Sequence, residues 1–386
     1  MNNVKVIIIH NTIAPYRHPL FEELSKKVNL MVYYCSIKEN LREWDLWPRK
    51  YDYKYKVLPR VFIKTPFGEL SLNPSILKEV IRNKPNVMII SGYTDPTTWV
   101  AFAVAKLLKI PIIHWTEGIK EPQSILGIIT KPLRMLFVKK SNAIIVPGKL
   151  SKNYVISLGA DVEKVFIAPN AIDNDLFIKI SQQYLPPKEK LRSKIGLKDK
   201  IVILCVAQLI KRKGIEYLLQ AYKKLEQEYD NLMLIIIGSG PLENYLKDLC
   251  KSLELKNVRF IPAGMKLDEL IKFYCLADIF VLPTLEDVWG FVINEAMACR
   301  LPVISTRASQ AALEMIVNGK NGYIAREKNV DELFLSLKKL VCSSELRREM
   351  GGKSLEIAIR KFNISGMAYG FIKAIRYVLN LDGKHW

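Results

Sequence analysis

The chain has 386 residues, 49% hydrophobic and 25% charged, which predicts a soluble globular protein of two domains. No apolar run reaches the roughly 18 residues that span a bilayer, the apolar start breaks at His10-Asn11 before a secretion signal forms, and six scattered cysteines without a C-x-x-C pair argue against a zinc site or disulfide framework. The net charge of +20 is spread over both halves, which favours anionic ligands and membrane surfaces and argues against a concentrated nucleic-acid patch.

The first half alternates β-rich runs at 4–10, 29–34, 86–91, 111–115, 143–147 and 165–168 with helical patterns. That alternation predicts a parallel sheet with helices on both faces, whose ligands lie beyond the carboxyl ends of the strands. After the first run, Pro15 can start a helix and Arg17 then lies in its first turn. A cation there opposes the helix dipole, so Arg17 is either a contact for an anionic partner or a surface arginine paired with Glu22 or Glu23. Residues 91–95, Ser-Gly-Tyr-Thr-Asp, should line the same cleft. In His114-Trp115-Thr116-Glu117-Gly118, His114 reads as a core histidine, while Glu117 can stabilise oxocarbenium-like charge or orient a hydroxyl. Residues 124–140 show an apolar face with Lys131, Arg134, Lys139 and Lys140. They form either an interfacial element on anionic lipid or a core helix with a basic edge.

Asp173-Asn174-Asp175 fits a D-x-D metal pattern, but no His or acid cluster supports it and no metal is expected. The polar, Pro-containing stretch 178–200 reads as an interdomain connection leading into a helix. A second alternating series follows at 201–207, 232–237, 258–261, 279–283 and 302–305. Its first strand leads into a Lys-rich turn, 207–214, and its second into Gly238-Ser239-Gly240-Pro241, where Pro241 excludes a dinucleotide fingerprint. Residues 281–303 combine a buried strand, a tight Trp289-Gly290 turn and a short helix from Phe291 to Cys299. The amides of Gly290, Phe291 and Val292 can hold a phosphate or sugar oxygen, and the flanking acids Asp287 and Glu295 can accept hydrogen bonds from vicinal hydroxyls. The tail, 343–381, carries two helical patterns.

Asp287, seven residues, then Glu295-Ala296-Met297-Ala298 and Pro302-Val303 resembles the acid-x7-Glu signature of the retaining family-4 glycosyltransferases. The first acid is usually Glu, and Gly commonly stands where Arg300 does here. The resemblance implies an α/β GT-B fold, with two Rossmann-like domains whose parallel sheets face across a cleft. It gives Asp287 to the donor sugar, Gly290, Phe291 and Val292 to sugar and diphosphate, and Glu295 to the ribose. Residues 207–214 resemble Gly-Arg-Leu-x-x-x-Lys-Gly, so Lys213 matches the diphosphate lysine and Gln208 stands where an Arg is usual. Gly240 matches a loop near the donor, Ile261–Gly264 the nucleobase segment, and Glu314 either matches a recurrent acid or simply caps a helix. Glu117 occupies the place of a functional His, and the Pro15-Tyr16-Arg17 variant puts Arg17 against the diphosphate or a phosphorylated acceptor. Pro169-Asn170-Ala171-Ile172-Asp173 resembles the Pro-Asn-Gly-Val-Asp that ends the first domain.

The implied organisation is an acceptor-side domain at 1–180, a donor-side domain at 181–360 and a final helix, 361–386, crossing back to the first. The implied activity is transfer of a sugar from a nucleoside-diphosphate sugar to a glycan or lipid-linked acceptor, with retention and without a metal or cofactor. Lys213, Gln208 and the Gly290-Phe291 helix start would stabilise the leaving diphosphate. Polysaccharide or glycolipid synthesis in the cytoplasm, at the inner membrane face, fits this reading. A nucleotide-sugar epimerase of the same fold and a non-catalytic donor-binding protein are its rivals; a nucleic-acid partner is not expected. The resemblance covers most of the chain, with its specific motifs between 205 and 325.

Overall fold

The computed structural model describes residues 1–37, 51–65, 68–93, 95–121, 127 and 129–381. Thr94 and most of 122–128, both within stretches singled out above, lie outside the described residues. The chain divides into two compact units, residues 1–170 with 364–386 and residues 171–363.

In the first unit, β1 (Lys5–Thr12), β2 (Asn29–Ser36), β3 (Lys54–Val57), β6 (Val87–Ser91), β7 (Ile112–Trp115), β8 (Ala143–Val146) and β9 (Val165–Ile167) form one parallel sheet. Its order is β3-β2-β1-β6-β7-β8-β9, and β4 (Val61–Thr65) and β5 (Gly68–Leu72) form a separate antiparallel hairpin. The helices are α1 (His18–Ser25), α2 (Ser75–Asn83), α3 (Pro96–Leu107), α4 (Lys131–Lys140), α5 (Lys149–Ser157) and the last helix of the chain, α15 (Ile364–Val378). β1 is buried along five consecutive residues, Val6 to His10, as a strand covered on both faces must be. Strand order reverses beside β1, so the loops after β1 and its neighbours open at the position where such sheets hold ligands. On one sheet face, α2, α3 and α4 share a single apolar core through Ile76, Val80, Phe102, Ala105 and Phe137. α15 packs against α1 and β8, and Phe371 meets the Trp115 ring edge-on at 4.9 Å.

In the second unit the sheet order is β12-β11-β10-β13-β14-β15, again all parallel. The strands are β10 (Ile201–Val206), β11 (Leu232–Ile237), β12 (Val258–Ile261), β13 (Ile279–Leu282), β14 (Val303–Thr306) and β15 (Gly322–Ala325). The helices in chain order are α6 (Asn174–Tyr184), α7 (Lys188–Lys194), α8 (Ile215–Glu226), α9 (Glu243–Ser252), α10 (Leu267–Leu276), α11 (Phe291–Ala298), α12 (Gln310–Met315), α13 (Val330–Cys342) and α14 (Ser344–Lys361). Here the order reverses between β10 and β13, which puts the ends of those two strands side by side.

Three elements were absent from the sequence reading. β3 is the exposed edge strand Lys-Tyr-Lys-Val, too polar to stand out. The β4–β5 hairpin belongs to neither sheet, and β15 is a four-residue strand. β15 begins at Gly322 because a Cβ there would fall 1.9 Å from the Val303 carbonyl oxygen, so the close approach selects glycine. The stretch 178–200 is not a connection: it contains most of α6 and all of α7, separated by Pro186-Pro187. α7 is anchored where Arg192 donates to the Leu276 carbonyl at 2.7 Å and Lys188 pairs with Asp278 at 3.2 Å. The chain passes between units at Asn170-Ala171 instead.

Candidate functional site

In the second unit the loop after β10 turns through a short 3-10 segment, Lys211–Lys213, stopped by Gly214 in the left-handed region at φ 63°. A Cβ at Gly214 would lie 2.3 Å from the Pro283 carbonyl oxygen. The loops after β10 and β13 are therefore pressed backbone to backbone, and this contact delivers the buried Lys213 ammonium to the buried Asp287 carboxylate at 2.5 Å. Arg212 lies 4.0 Å from the other carboxylate oxygen. Asp287 is fixed through its backbone: its N–H donates to the Ala308 carbonyl at 2.9 Å, and it bridges Ser309 in parallel fashion.

Gly290 is the N-cap residue of α11, at φ 104°, and as a glycine it brings no capping side chain of its own. A Cβ at Gly290 would sit 3.0 Å from Ser309 Oγ and 3.5 Å from Asp287 Oδ2, so the helix start and the carboxylate share one small volume. Phe291 and Val292, half-buried, open the helix. The buried Trp289 indole donates to Asn294 Oδ1 at 2.9 Å, and its carbonyl accepts from Ser309 Oγ at 2.6 Å, which locks the turn. A helix N-terminus beside a lysine is an anion site.

Glu295 lies on the same helix and accepts a hydrogen bond from Tyr274 at 2.7 Å. Burial raises its carboxyl above the usual range, and the Tyr274 hydroxyl partly opposes this. Gln208 is half-buried in the loop after β10. Gly240 lies where a Cβ would be 2.5 Å from the Leu209 carbonyl oxygen, and the two loops exchange bonds, Leu209 N–H to Ser239 and Leu242 N–H to Leu209. Gly240 therefore holds the loops after β10 and β11 together, and Ser239 Oγ accepts from the Ala263 N–H at the end of β12. Glu314 lies on α12, but Ser309 caps that helix.

In the first unit Arg17 is buried at the start of α1, following a short 3-10 turn at Pro15–Arg17. Its pairing with Glu22 or Glu23 is not found. The guanidinium donates instead to Glu117 and, at 2.7 Å, to Asn170 Oδ1, and it lies 4.6 Å above the Trp115 ring. Asn170 closes the triangle by donating to Glu117 Oε1 at 2.9 Å. His10, beside this group, donates to the Thr12 carbonyl at 2.9 Å; burial and the Arg17 charge push it down to about 3, so it is neutral at pH 7. Likewise His114 is held down at about 4 by burial, as a core histidine should be. Asp173 caps α6 through the Leu176 N–H. No group of three His, Cys, Asp or Glu side chains with metal-ligand spacing occurs among the described residues.

Tyr274, Ser309 and Asn170 were not picked out as site residues from the sequence. Ser309 had a signal, a serine immediately before a helical run. The other two act only through partners distant in sequence.

Residues 187–356 match the family model described as glycosyl transferases group 1. An uncharacterized glycosyltransferase of Haemophilus influenzae is 30% identical over 195 residues, 50% of this chain and 53% of that one. The capsular polysaccharide biosynthesis glycosyltransferase CapM of Staphylococcus aureus is 31% identical over 276 residues, 71% of this chain and 63% of CapM. The chain spans between about half and two thirds of the length of the first curated relatives it matches. The crystal structure of Anabaena Alr3699/HepE in complex with UDP and glucose superposes with a TM-score of 0.75 at 17% identity, covering 97% of this chain and 99% of that one.

Proposed function

We propose that this chain, whose residues 187–356 belong to the glycosyl transferases group 1 family and whose fold is GT-B, transfers a sugar from a nucleoside-diphosphate donor with retention of configuration. The observation that carries the reading is the Lys213–Asp287 pair beside the Gly290 helix start. In such a transfer negative charge grows on the departing diphosphate, and the stabilising groups must be in place before the bond breaks. The Lys213 ammonium and the first amides of α11 supply that positive potential, with Gln208 as a neutral donor, so the reading needs no metal. Asp287 orients Lys213 and accepts from the donor sugar, and Glu295 accepts from the ribose hydroxyls.

The raised Glu295 carboxyl implies that donor affinity falls on the acid side, because the neutral acid is the poorer acceptor. For the nucleotide we favour uridine, since the HepE structure holds UDP. Arg17 and Glu117 serve the acceptor, with Arg17 reading a phosphate on it. Relatives named for capsular polysaccharide and for monoglucosyldiacylglycerol synthesis favour a glycan or lipid-linked acceptor, which an enzyme would meet at the inner face of a membrane.

The test is a panel of nucleotide sugars screened by melting temperature, followed by product analysis with the stabilising donor. A donor at a hundred times its dissociation constant should add about 2.7 kcal/mol, and the product should keep the anomeric configuration of the donor. No stabilisation by any nucleoside-diphosphate sugar, or an inverted product, sinks the reading. An epimerised sugar recovered without acceptor would move it to the epimerase rival.

A further inference from the structure

The first unit carries an outer surface that donor chemistry does not use. α2, α3 and α4 pack side by side on one sheet face through their shared core, and Phe102 of α3 lies 4.3 Å from Phe137 of α4, ring to ring. Their other sides are not polar, as the outward stripe of a helix on a sheet ordinarily is. Leu107 is 82% exposed, and Leu77, Ile81, Leu108, Leu133 and Leu136 are between 45 and 49% exposed. Interleaved with them, Lys78, Arg82, Lys106, Lys109, Lys139 and Lys140 are all exposed.

The charge on these helices has one sign. Among the described residues of α2, α3 and α4 the only acid is Glu79, which is buried and paired with Lys56 at 2.6 Å. Partial desolvation of the Lys106 ammonium, which lies 5.7 Å from the Phe102 ring centroid, lowers its pKa, and the neighbouring Lys140 charge lowers it further. Glu121, outside these helices, pairs with Lys131 and Arg134 of α4; the remaining clustered cations repel one another unless an anionic surface covers them. A second copy of this chain would bring the same cations face to face across a two-fold axis, whereas an anionic bilayer offers both what the leucines need and what the lysines need.

We infer that the outer face of α2, α3 and α4 docks on the surface of an anionic lipid bilayer, with Leu77, Ile81, Leu107, Leu108, Leu133 and Leu136 entering the headgroup boundary and the lysines meeting lipid phosphates. No helix among the described residues is long and apolar enough to cross a membrane, so the contact is peripheral. The inference extends the basic edge read at 124–140 to a three-helix face. It is independent of which sugar is transferred, and it holds even if the donor assignment fails.

The test uses the full chain and vesicles of phosphatidylcholine alone or mixed with phosphatidylglycerol. Wild type should sediment with the mixed vesicles about tenfold more strongly than with the neutral ones, and salt should release it. The double variant Leu107→Glu with Leu133→Glu should lose about tenfold in that binding, with its melting curve and nucleotide-sugar response unchanged. Hydrogen exchange on wild type, which needs no variant, should show protection of 75–84, 104–110 and 131–140 on adding mixed vesicles. Equal binding to both vesicle types, no vesicle binding, unchanged exchange in those segments, or a folded double variant that binds as wild type would overturn the proposal. So would concentration-dependent dimerisation that the double variant abolishes.

Discussion

Each unit holds a buried cation against a carboxylate beyond the ends of a parallel sheet, but the two pairs are built differently. Lys213 and Asp287 come from loops after adjacent strands, β10 and β13; Gly214 brings the backbones within contact, and Gly290 leaves room for the Asp287 and Ser309 side chains. Arg17 and Glu117 follow β1 and β7, which are separated by β6, so side chains must bridge the gap. Asn170 and the Trp115 ring then hold the guanidinium from two more directions. An ammonium is a point charge that can follow a moving anion, whereas a forked guanidinium fixed by a carboxylate and an amide is a rigid template. Under the proposed function, the second unit stabilises charge that develops and the first recognises a group that is already there.

The sharpest way to break this comparison is Lys213→Ala. It leaves Asp287 buried without its ammonium, so turnover should fall by about 10² to 10³ and stability by about 3 kcal/mol. Full turnover in a steady-state assay would end the assignment. Arg17→Lys keeps the charge and loses the fork. We expect about a tenfold loss in kcat/KM, chiefly in the acceptor KM, with about 1.5 kcal/mol of destabilisation from the forfeited charged hydrogen bond; an unchanged acceptor KM would remove the template role. Gly240→Ala should cost about 1 to 3 kcal/mol through overpacking against the Leu209 backbone, read as a lower melting temperature.

Tyr274→Phe should have the smallest effect. It removes the one group drawing the Glu295 carboxyl back down, so the pH at which donor affinity is lost moves upward. The sign for stability follows. Because the folded carboxyl holds its proton more tightly than the unfolded one, its stabilising contribution is present in acid and is lost as pH rises through the raised folded value. In the variant that loss should extend to higher pH, checked by melting curves across the acid range.

Much of the architecture was legible because buried parallel strands are nearly continuous apolar runs, as in Leu232–Ile237. What escaped was polar or short, as with β3, or was set by a close approach, as with Gly322. In the site, Asp287, Glu295 and Lys213 could be singled out because their spacing and neighbours form recognisable wording. Their supports could not: Tyr274 meets Glu295 across 21 residues and Asn170 meets Arg17 across 153, contacts that exist only once the sheet order is known. Arg17 was open between an anionic partner and a surface pairing with Glu22 or Glu23; the fold replaces the second with a buried contact to Glu117 and Asn170.

The placement of α15 sets the timetable of folding. Gly370 lets that helix press on the chain at 167–168, where a Cβ would fall 2.7 Å from the Ile167 carbonyl oxygen, and Phe371 covers Trp115, the ring beneath Arg17. During synthesis residues 1–170 emerge before α15 does, and their aromatic floor stays uncovered until Phe371 has been made. The intervening unit, contiguous from 171 to 363, can finish beforehand.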